Sequence, residues 1–316
     1  MTSLLRNETA RWLGERDNFC ILTHDKPDGD TLGSAAGLCL GLRALGKTAV
    51  VLENPGTPRN LAYLCRDLTV EAAPENAVVV TVDTAAAHLL PEVHRHLLPR
   101  VQLRIDHHGT AESYTPLELV DPTSGACGEI IYDLLEILGV ELTGEMAVAL
   151  YTATATDTGC FRFANTTDHT FRVAAACAAT GADLYPINQA LFDTVSLSRL
   201  RLQGWVTEHT RFYRDGQVAV CALPASLEQE LGISEEDMGG LAGFVRSIEG
   251  VCLAATLREG KDGHISISLR AVPGWNAAAV CEKFGGGGHK GAAGSGMDCD
   301  LAQAQKLLTQ AMLEQN

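Results

Sequence analysis

Four short runs in the first half of the chain read as strands: FCILTH (19–24), TAVVLE (48–53) and AVVVTVD (77–83) are apolar through their middles, and VQLRIDHH (101–108) carries Val101, Leu103 and Ile105. A strand with one wet face alternates apolar and polar residues, so runs without alternation read as strands covered on both faces. Between the first two lies DTLGSAAGLCLGLRALG (30–46), an Ala- and Leu-rich helical pattern closed by Gly46. Three further helical patterns follow at 124–139, 144–159 and 168–182. Strands and helices alternating in this way build a parallel sheet, because parallel neighbours need a crossover and the crossover helices cover the sheet. The expected fold class is therefore α/β, with a parallel-sheet domain covered by helices over residues 1–185.

The pattern then changes. A polar helical stretch over 186–204 reads as a connection, and residues 205–316 carry the signals of a smaller α+β domain. TRFYRDGQVAVCAL reads as a hairpin turning at Asp215-Gly216, and VCLAATLRE (251–259) with HISISLRAV (264–272) as a second strand pair. A helix around 275–283, the Gly-rich loop GGGGHKGAAG (285–294) and a final helix from 301 complete the domain. Two domains suit a length of 316 residues.

Composition narrows the class further. No window approaches the ~18 consecutive apolar residues of a membrane span, and acids and polar residues occupy the N-terminal stretch where a signal peptide needs an apolar run. The expected location is the cytoplasm, with no membrane partner. The ten cysteines are scattered singly, without a CxxC pair, and read as reduced core residues. A net charge of −15 argues against duplex nucleic acid as a partner, since that needs a basic face. A small anionic substrate stays open, because bound cations can invert the local charge.

Polar residues collect where the strands end. His24, Asp28 and Asp30 follow the first strand, Asp83 ends the third, and Asp106, His107 and His108 end the fourth; Asp157 lies in TATATDTG. Carboxyl ends of parallel strands are where open α/β sheets bind ligands. A lone aspartate there is more often a helix N-cap, and a lone histidine more often structural. Four segments delivering acids and imidazoles to one edge are harder to explain as caps. Carboxylates with imidazole and no thiolate suit Mn²⁺ or Mg²⁺, with Co²⁺ or Fe²⁺ as alternatives. So many ligands exceed the need of one ion. Two divalent cations sharing a carboxylate are the natural arrangement for phosphoryl chemistry, where they acidify water and neutralise phosphoryl oxygens. In the second domain, the consecutive glycines 285–288 let backbone N–H groups approach an anion, and His289 and Lys290 add donors or charge.

HDKPDGDTLGSA (24–35), VDTA (82–85), IDHHGT (105–110) and ATDTG (155–159) resemble the four motifs of the DHH phosphoesterase family, in their usual order. FGGGGHKGAAG (284–294) resembles the GGGHxxAAG signature of that family's C-terminal associated domain. Size and domain content are similar to the small oligoribonuclease and 3′-phosphoadenosine-5′-phosphate phosphatase group. The larger RecJ-type exonucleases and the membrane-anchored cyclic-dinucleotide phosphodiesterases fit less well.

The resemblance implies roles. His24, Asp28 and Asp83 would hold one ion, and Asp30, Asp83, His107 and Asp157 the other, with Asp83 bridging. Asp106 would orient the histidines, and His108 would contact the scissile phosphate or assist the leaving group. Asp25 and Lys26 lie outside the motif and receive no role. Arg270, the arginine of SLR, with Gly287, Gly288 and His289, would face substrate in the cleft between the domains. The implied cofactors are two Mn²⁺ ions, with Mg²⁺ or Co²⁺ as alternatives. The implied substrates are short single-stranded RNA, or a small phosphorylated nucleotide hydrolysed to AMP and phosphate. Linear or cyclic dinucleotides such as pApA and c-di-AMP form the alternative within enzymes. A family II pyrophosphatase lacks the Gly-rich His signature. A catalytically silent nucleotide sensor, the rival from another class, need not keep every metal ligand. The sequence leaves room for a homodimer.

Overall fold

A computed structural model describes residues 2–3, 5–109, 113–234 and 236–315. Thr110, the last residue of the IDHHGT motif, lies outside the described residues. The chain divides into two compact units, Met1–Thr194 and Val195–Asn316.

In the first unit the elements run β1 (Thr2–Ser3), α1 (Arg6–Gly14), β2 (Phe19–Leu22), α2 (Gly29–Ala44), β3 (Ala49–Leu52), β4 (Thr69–Val70), β5 (Val78–Val82), β6 (Val101–Asp106), β7 (Leu117–Val120), α3 (Cys127–Ile137), α4 (Gly144–Asp157), α5 (Asp168–Ala179) and α6 (Tyr185–Asn188). The strands form one parallel sheet in the order β1-β7-β6-β5-β2-β3-β4. The apolar runs of β2, β3 and β5 have the expected cause. Phe19 and Ile21 of β2 pack into a core with α2, α3 and α4, whereas Cys20 and Leu22 face a second core containing Leu90, Leu97 and Val101.

The sheet holds three strands beyond the four expected, β1, β4 and β7. The first two are pairs of residues, too short for any periodic signal, and Leu117–Val120 is only partly buried, so it lacks a continuous apolar run.

Close packing of α2 on its neighbours sets the geometry of the strand-end region. Gly29, Gly33, Gly37 and Gly41 repeat every four residues and so share one face of α2. A Cβ at Gly29 would meet the Thr156 side chain at 2.4 Å, and one at Gly33 would meet the Ala149 carbonyl at 2.4 Å. Residues with side chains there would push α4 away. The start of α2 therefore lies against the end of α4, which puts Asp28 and Asp30 beside Asp157.

The second unit contains α7 (Leu197–His209), β8 (Arg211–Tyr213), β9 (Val218–Leu223), α8 (Leu227–Leu231), α9 (Leu241–Arg246), β10 (Leu253–Glu259), β11 (Ile265–Ala271), α10 (Ala277–Glu282), β12 (Gly287–His289), β13 (Ala292–Met297) and α11 (Leu301–Leu313). Its six strands are ordered β12-β13-β11-β10-β9-β8. Only β9 and β10 pair in parallel; the other neighbours are antiparallel. One face packs on α10 and α11, and the β9 side of the other face packs on α7, α8 and α9. The Gly-rich segment expected to be a loop is a hairpin, with Gly287–His289 paired to Ala292–Met297. Four glycines in a row conceal a strand because they carry neither apolar alternation nor β-branched side chains.

Candidate metal centre

β2 and β5 are the neighbours at which the sheet reverses its direction of growth. The chain moves outward from β2 to β3 and β4, then returns to place β5 on the other side of β2. Loops leaving two such strands diverge and open a crevice at their carboxyl ends. His24 lies just past β2, Asp83 just past β5, and Asp106, His107 and His108 at the end of the adjacent β6. Asp28 is the N-cap of α2, accepting from Asp30 N (3.0 Å) and Thr31 N (3.1 Å). The capping role thus falls to Asp28 and not to Asp30. The Asp30 carboxylate instead accepts from Cys127 N (2.7 Å) and Gly128 N (2.9 Å) at the start of α3. Asp83 has a left-handed backbone, φ +49°, a conformation that aspartate tolerates better than most residues.

The first-unit candidates converge. His24 Nε2 is 3.8 Å from Asp28 Oδ1 and 3.7 Å from Asp83 Oδ2. His107 Nε2 is 3.6 Å from Asp30 Oδ2, 3.5 Å from Asp83 Oδ1 and 3.4 Å from Asp157 Oδ2. His24, Asp28 and Asp83 form one triad with donor atoms within 4.8 Å of one another, and Asp30, His107 and Asp157 form a second. Asp83, His107 and His108 also meet this distance. There the His108 nitrogen facing Asp83 is Nδ1, which is engaged by Asp106 Oδ1 at 2.8 Å.

The donor chemistry tests whether cations fit. His107 Nδ1 lies 3.3 Å from the Ser124 carbonyl, which can only accept. In its neutral form the ring therefore carries its proton on Nδ1 and presents a bare Nε2, as a metal ligand must. That Nε2 and Asp83 Oδ1 are buried without a hydrogen-bond partner. A lone pair facing three carboxylates is repulsive unless positive charge lies among them. The arrangement fits divalent cations.

Electrostatics agree. Burial and then the Asp157 and Asp28 charges push the Asp30 carboxyl well above its usual range. Burial and then Asp30, Asp28, Asp106 and Asp157 do the same to Asp83. Asp157 is raised as well, by burial first, with His107 opposing and Asp28 reinforcing. Asp106 behaves in the opposite way. Burial acts upward, but the His108 hydrogen bond and charge outweigh it and hold the carboxyl low. The same hydrogen bond raises His108, against its own burial. Asp106 Oδ1 also accepts from the backbone of His107 (2.8 Å) and His108 (3.2 Å), so it fixes the segment carrying both imidazoles.

The second-unit candidates lie along one register row. Arg270 of β11 pairs with Ala292 of β13, which pairs with His289 of β12. Directly opposed residues in antiparallel strands point to the same face. Arg270 and His289 therefore share a face, two strand spacings or roughly 10 Å apart. The next row on that face holds Ser268, Gly294 and Gly287. Gly288 has φ +140°, and a Cβ there would meet the Ala292 carbonyl at 2.6 Å, whereas one at Gly287 would meet nothing within 4 Å.

Several supporting residues carry no motif signal. Asn54 donates to the His24 carbonyl (2.7 Å) and to Thr23 Oγ1 (2.8 Å), holding the segment after β2. Glu129 is fully buried and accepts from Thr170 Oγ1 (2.6 Å) and Gly125 N (3.2 Å), bracing the turn that carries Ser124. An acid on the first turn of α3 beside Ile130 and Ile131 could have drawn attention to Glu129. The Ser124 carbonyl is backbone and leaves no trace in residue type. After Asp157 the chain enters a strained turn in which Gly159, Cys160 and Phe161 are all left-handed, with φ of +56°, +57° and +63°. Asn165 ties this turn down by donating to the carbonyls of Gly125 (2.8 Å) and Asp157 (3.1 Å).

A parallel sheet that opens at its switch point onto clustered acids and imidazoles, followed by a smaller mixed-sheet unit, is the architecture of a metal-assisted hydrolase. The chain belongs to the DHH phosphoesterase family: residues 18–154 match the DHH family N-terminal domain, and residues 215–314 match the DHHA1 domain. It is 36% identical to the bifunctional oligoribonuclease and PAP phosphatase NrnA of Thermus thermophilus, over 93% of this chain and 89% of that protein. An exopolyphosphatase-related protein from Bacteroides fragilis is similar in structure, with TM-score 0.89 and 26% identity, covering 98% of this chain and 95% of that one. The fold is also shared with RecJ of Thermus thermophilus in complex with Mn²⁺, at TM-score 0.55 and 17% identity, covering 97% of this chain and 54% of that one.

Proposed function

We propose that this chain hydrolyses short oligoribonucleotides to nucleoside monophosphates, and 3′-phosphoadenosine 5′-phosphate to AMP and phosphate. The carrying observation is Asp83, whose Oδ2 faces His24 at 3.7 Å while its Oδ1 faces His107 at 3.5 Å. One carboxylate thus serves two adjoining ligand sets. His24, Asp28 and Asp83 would hold one divalent cation, and Asp30, Asp83, His107 and Asp157 a second. Mn²⁺ suits this oxygen- and nitrogen-rich set, with Mg²⁺ or Co²⁺ as substitutes. Bound there, such ions neutralise phosphoryl oxygens and acidify water.

The protein's own groups perform the remaining work. Asp106 keeps a proton on His108 Nδ1 and raises the imidazole's basicity, so His108 can hold a second proton at Nε2 for the departing oxygen. Arg270 presents a planar fork suited to a phosphate, and His289 adds a donor on the same face. The 36% identity to a bifunctional oligoribonuclease and PAP phosphatase supports this substrate class.

The test compares short RNA, 3′-phosphoadenosine 5′-phosphate, pApA and pyrophosphate with purified protein in Mn²⁺, in Mg²⁺ and after chelation. The expected result is metal-dependent release of mononucleotide from RNA and of phosphate from 3′-phosphoadenosine 5′-phosphate, with little hydrolysis of pyrophosphate. Tight nucleotide binding without turnover in every metal would overturn the proposal.

A second expectation concerns the two glycines. Gly287→Val sets its Cβ where nothing lies within 4 Å, so it should fold normally and weaken oligonucleotide kcat/KM by tenfold or more, a loss of ~1.4 kcal/mol. Gly288→Val combines a positive φ with backbone overlap and should lower the melting temperature instead. Thermal melts and kinetics of both variants check the contrast; an unimpaired Gly287→Val enzyme rules out this face as a binding surface.

A further inference from the structure

Phe163 is an aromatic side chain that the reaction scheme leaves unused. It lies in the strained turn after Asp157 and is 57% exposed. Exposure alone means little for a single residue; the construction beneath it means more. Phe163 N and Arg162 N both donate to the Thr158 carbonyl at 3.0 Å, and Phe161 N donates to Thr158 Oγ1 at 3.2 Å. The three left-handed residues direct Phe161 and Phe163 to different surroundings. The Phe161 ring goes inward, packing 5.7 Å from the Tyr151 ring and 5.7 Å from the Phe171 ring. It anchors the turn.

Phe163 goes outward and lies across Gly159. A Cβ on Gly159 would meet Phe163 Cζ at 2.4 Å, Cε1 at 2.5 Å and Cε2 at 2.6 Å, so the end of the ring rests on bare backbone two residues from Asp157. Glycine is required there for room beneath the ring, and it adopts φ +56° without strain. The result is a supported aromatic ring on the turn that follows the candidate ligand Asp157, held by a strained backbone and largely open to solvent. Strain of this kind persists where the surrounding structure enforces it, and it clusters at ligand sites.

We infer that Phe163 is a stacking platform for the nucleobase nearest the scissile phosphate. This rests on the reading of the chain as a nucleotide phosphoesterase and adds how the base is gripped. Every nucleobase presents a π-face, so such a platform accepts RNA without regard to sequence. It also favours a nucleotide over a bare sugar phosphate, which the metal-ligating residues alone cannot do.

The experiment uses the full-length, metal-loaded protein and two substrates. One is 3′-phosphoadenosine 5′-phosphate and the other is ribose 3,5-bisphosphate, which offers the same phosphates without a base. Phe163→Ala should lower kcat/KM on the nucleotide about five- to a hundredfold, the range of one base-aromatic stack. It should leave the base-free substrate within twofold of the parent. Phe163→Trp should keep nucleotide activity, and Phe163→Leu, which restores apolar bulk without a π-face, should not. An equal fall on both substrates, full rescue by leucine, or an unchanged Phe163→Ala variant overturns the inference while the proposed function stands. A parent that hydrolyses neither nucleotide nor RNA overturns both, a different outcome visible before any variant is made.

Discussion

Asp83→Asn should abolish hydrolysis and, at the same time, stabilise the metal-free protein at neutral pH. Asp83 is only 3% exposed, and its carboxyl is pushed well above the usual range by burial and by four neighbouring aspartates. A carboxyl whose folded pKa exceeds its unfolded value binds more protons in the folded state. Its contribution to stability is present at low pH and is lost as pH rises from about 4, the ordinary aspartate value, through the folded pKa. The metal-free parent should therefore weaken across that window, and the uncharged isostere should weaken less. Thermal melts after chelation should show Asp83→Asn above the parent at pH 8, with the gap closing toward pH 4. Saturating Mn²⁺ should reverse the order, because ions that bind only the folded parent stabilise it by mass action. The activity loss should exceed ~10³-fold, since the variant removes the carboxylate shared by both ligand sets. A folded variant with near-normal turnover, or a stability gap indifferent to pH, is incompatible with the shared-ligand reading.

Much of the candidate site is legible in the sequence because its acids and imidazoles sit largely at strand ends, where mostly apolar runs stop at a charged residue. Asp83 illustrates this by closing a valine-rich run, and Asp106 follows Ile105 at the end of β6. The topology that gathers them was legible only in class. That β5 returns beside β2 depends on the chain between β3 and β5, an irregular path with one 3₁₀ turn that carries no sequence period. The approach of Asp157 to Asp30 depends on the glycines every fourth residue of α2, which were read only as part of a helix. Backbone partners were invisible for a simpler reason. The Ser124 carbonyl that sets the His107 tautomer is the same group in every residue type, and only its position matters. In the second unit, Gly287 and His289 were assigned to a loop, yet their alignment with Ser268 and Arg270 follows from a strand register that glycines do not advertise.

His107 and His108 should separate metal binding from proton transfer. The two rings are in contact, with centroids 4.5 Å apart, yet their environments differ. His107 presents a bare, buried Nε2 to three carboxylates, so His107→Ala should lose bound metal and activity together. His108 is partly exposed and donates a hydrogen bond from Nδ1–H to Asp106, which leaves it without a free nitrogen toward Asp83. His108→Ala should keep near-parental metal content and lose ~10²–10⁴-fold in kcat, the usual worth of a general acid. A pH profile then distinguishes an acid from a packing residue. The His108 pKa is raised chiefly by the hydrogen bond it donates to Asp106. An enzyme that needs His108 protonated keeps its rate below that pKa and loses it as pH rises through it. Asp106→Asn removes the carboxylate charge, lowers the imidazole pKa and should move the alkaline limb of kcat to lower pH. In His108→Ala that limb should vanish. Metal analysis of the purified variants and kcat measured from pH 6 to 10 decide the matter. Equal metal loss in the two histidine variants, or an alkaline limb unmoved by Asp106→Asn, would remove His108 from the chemistry.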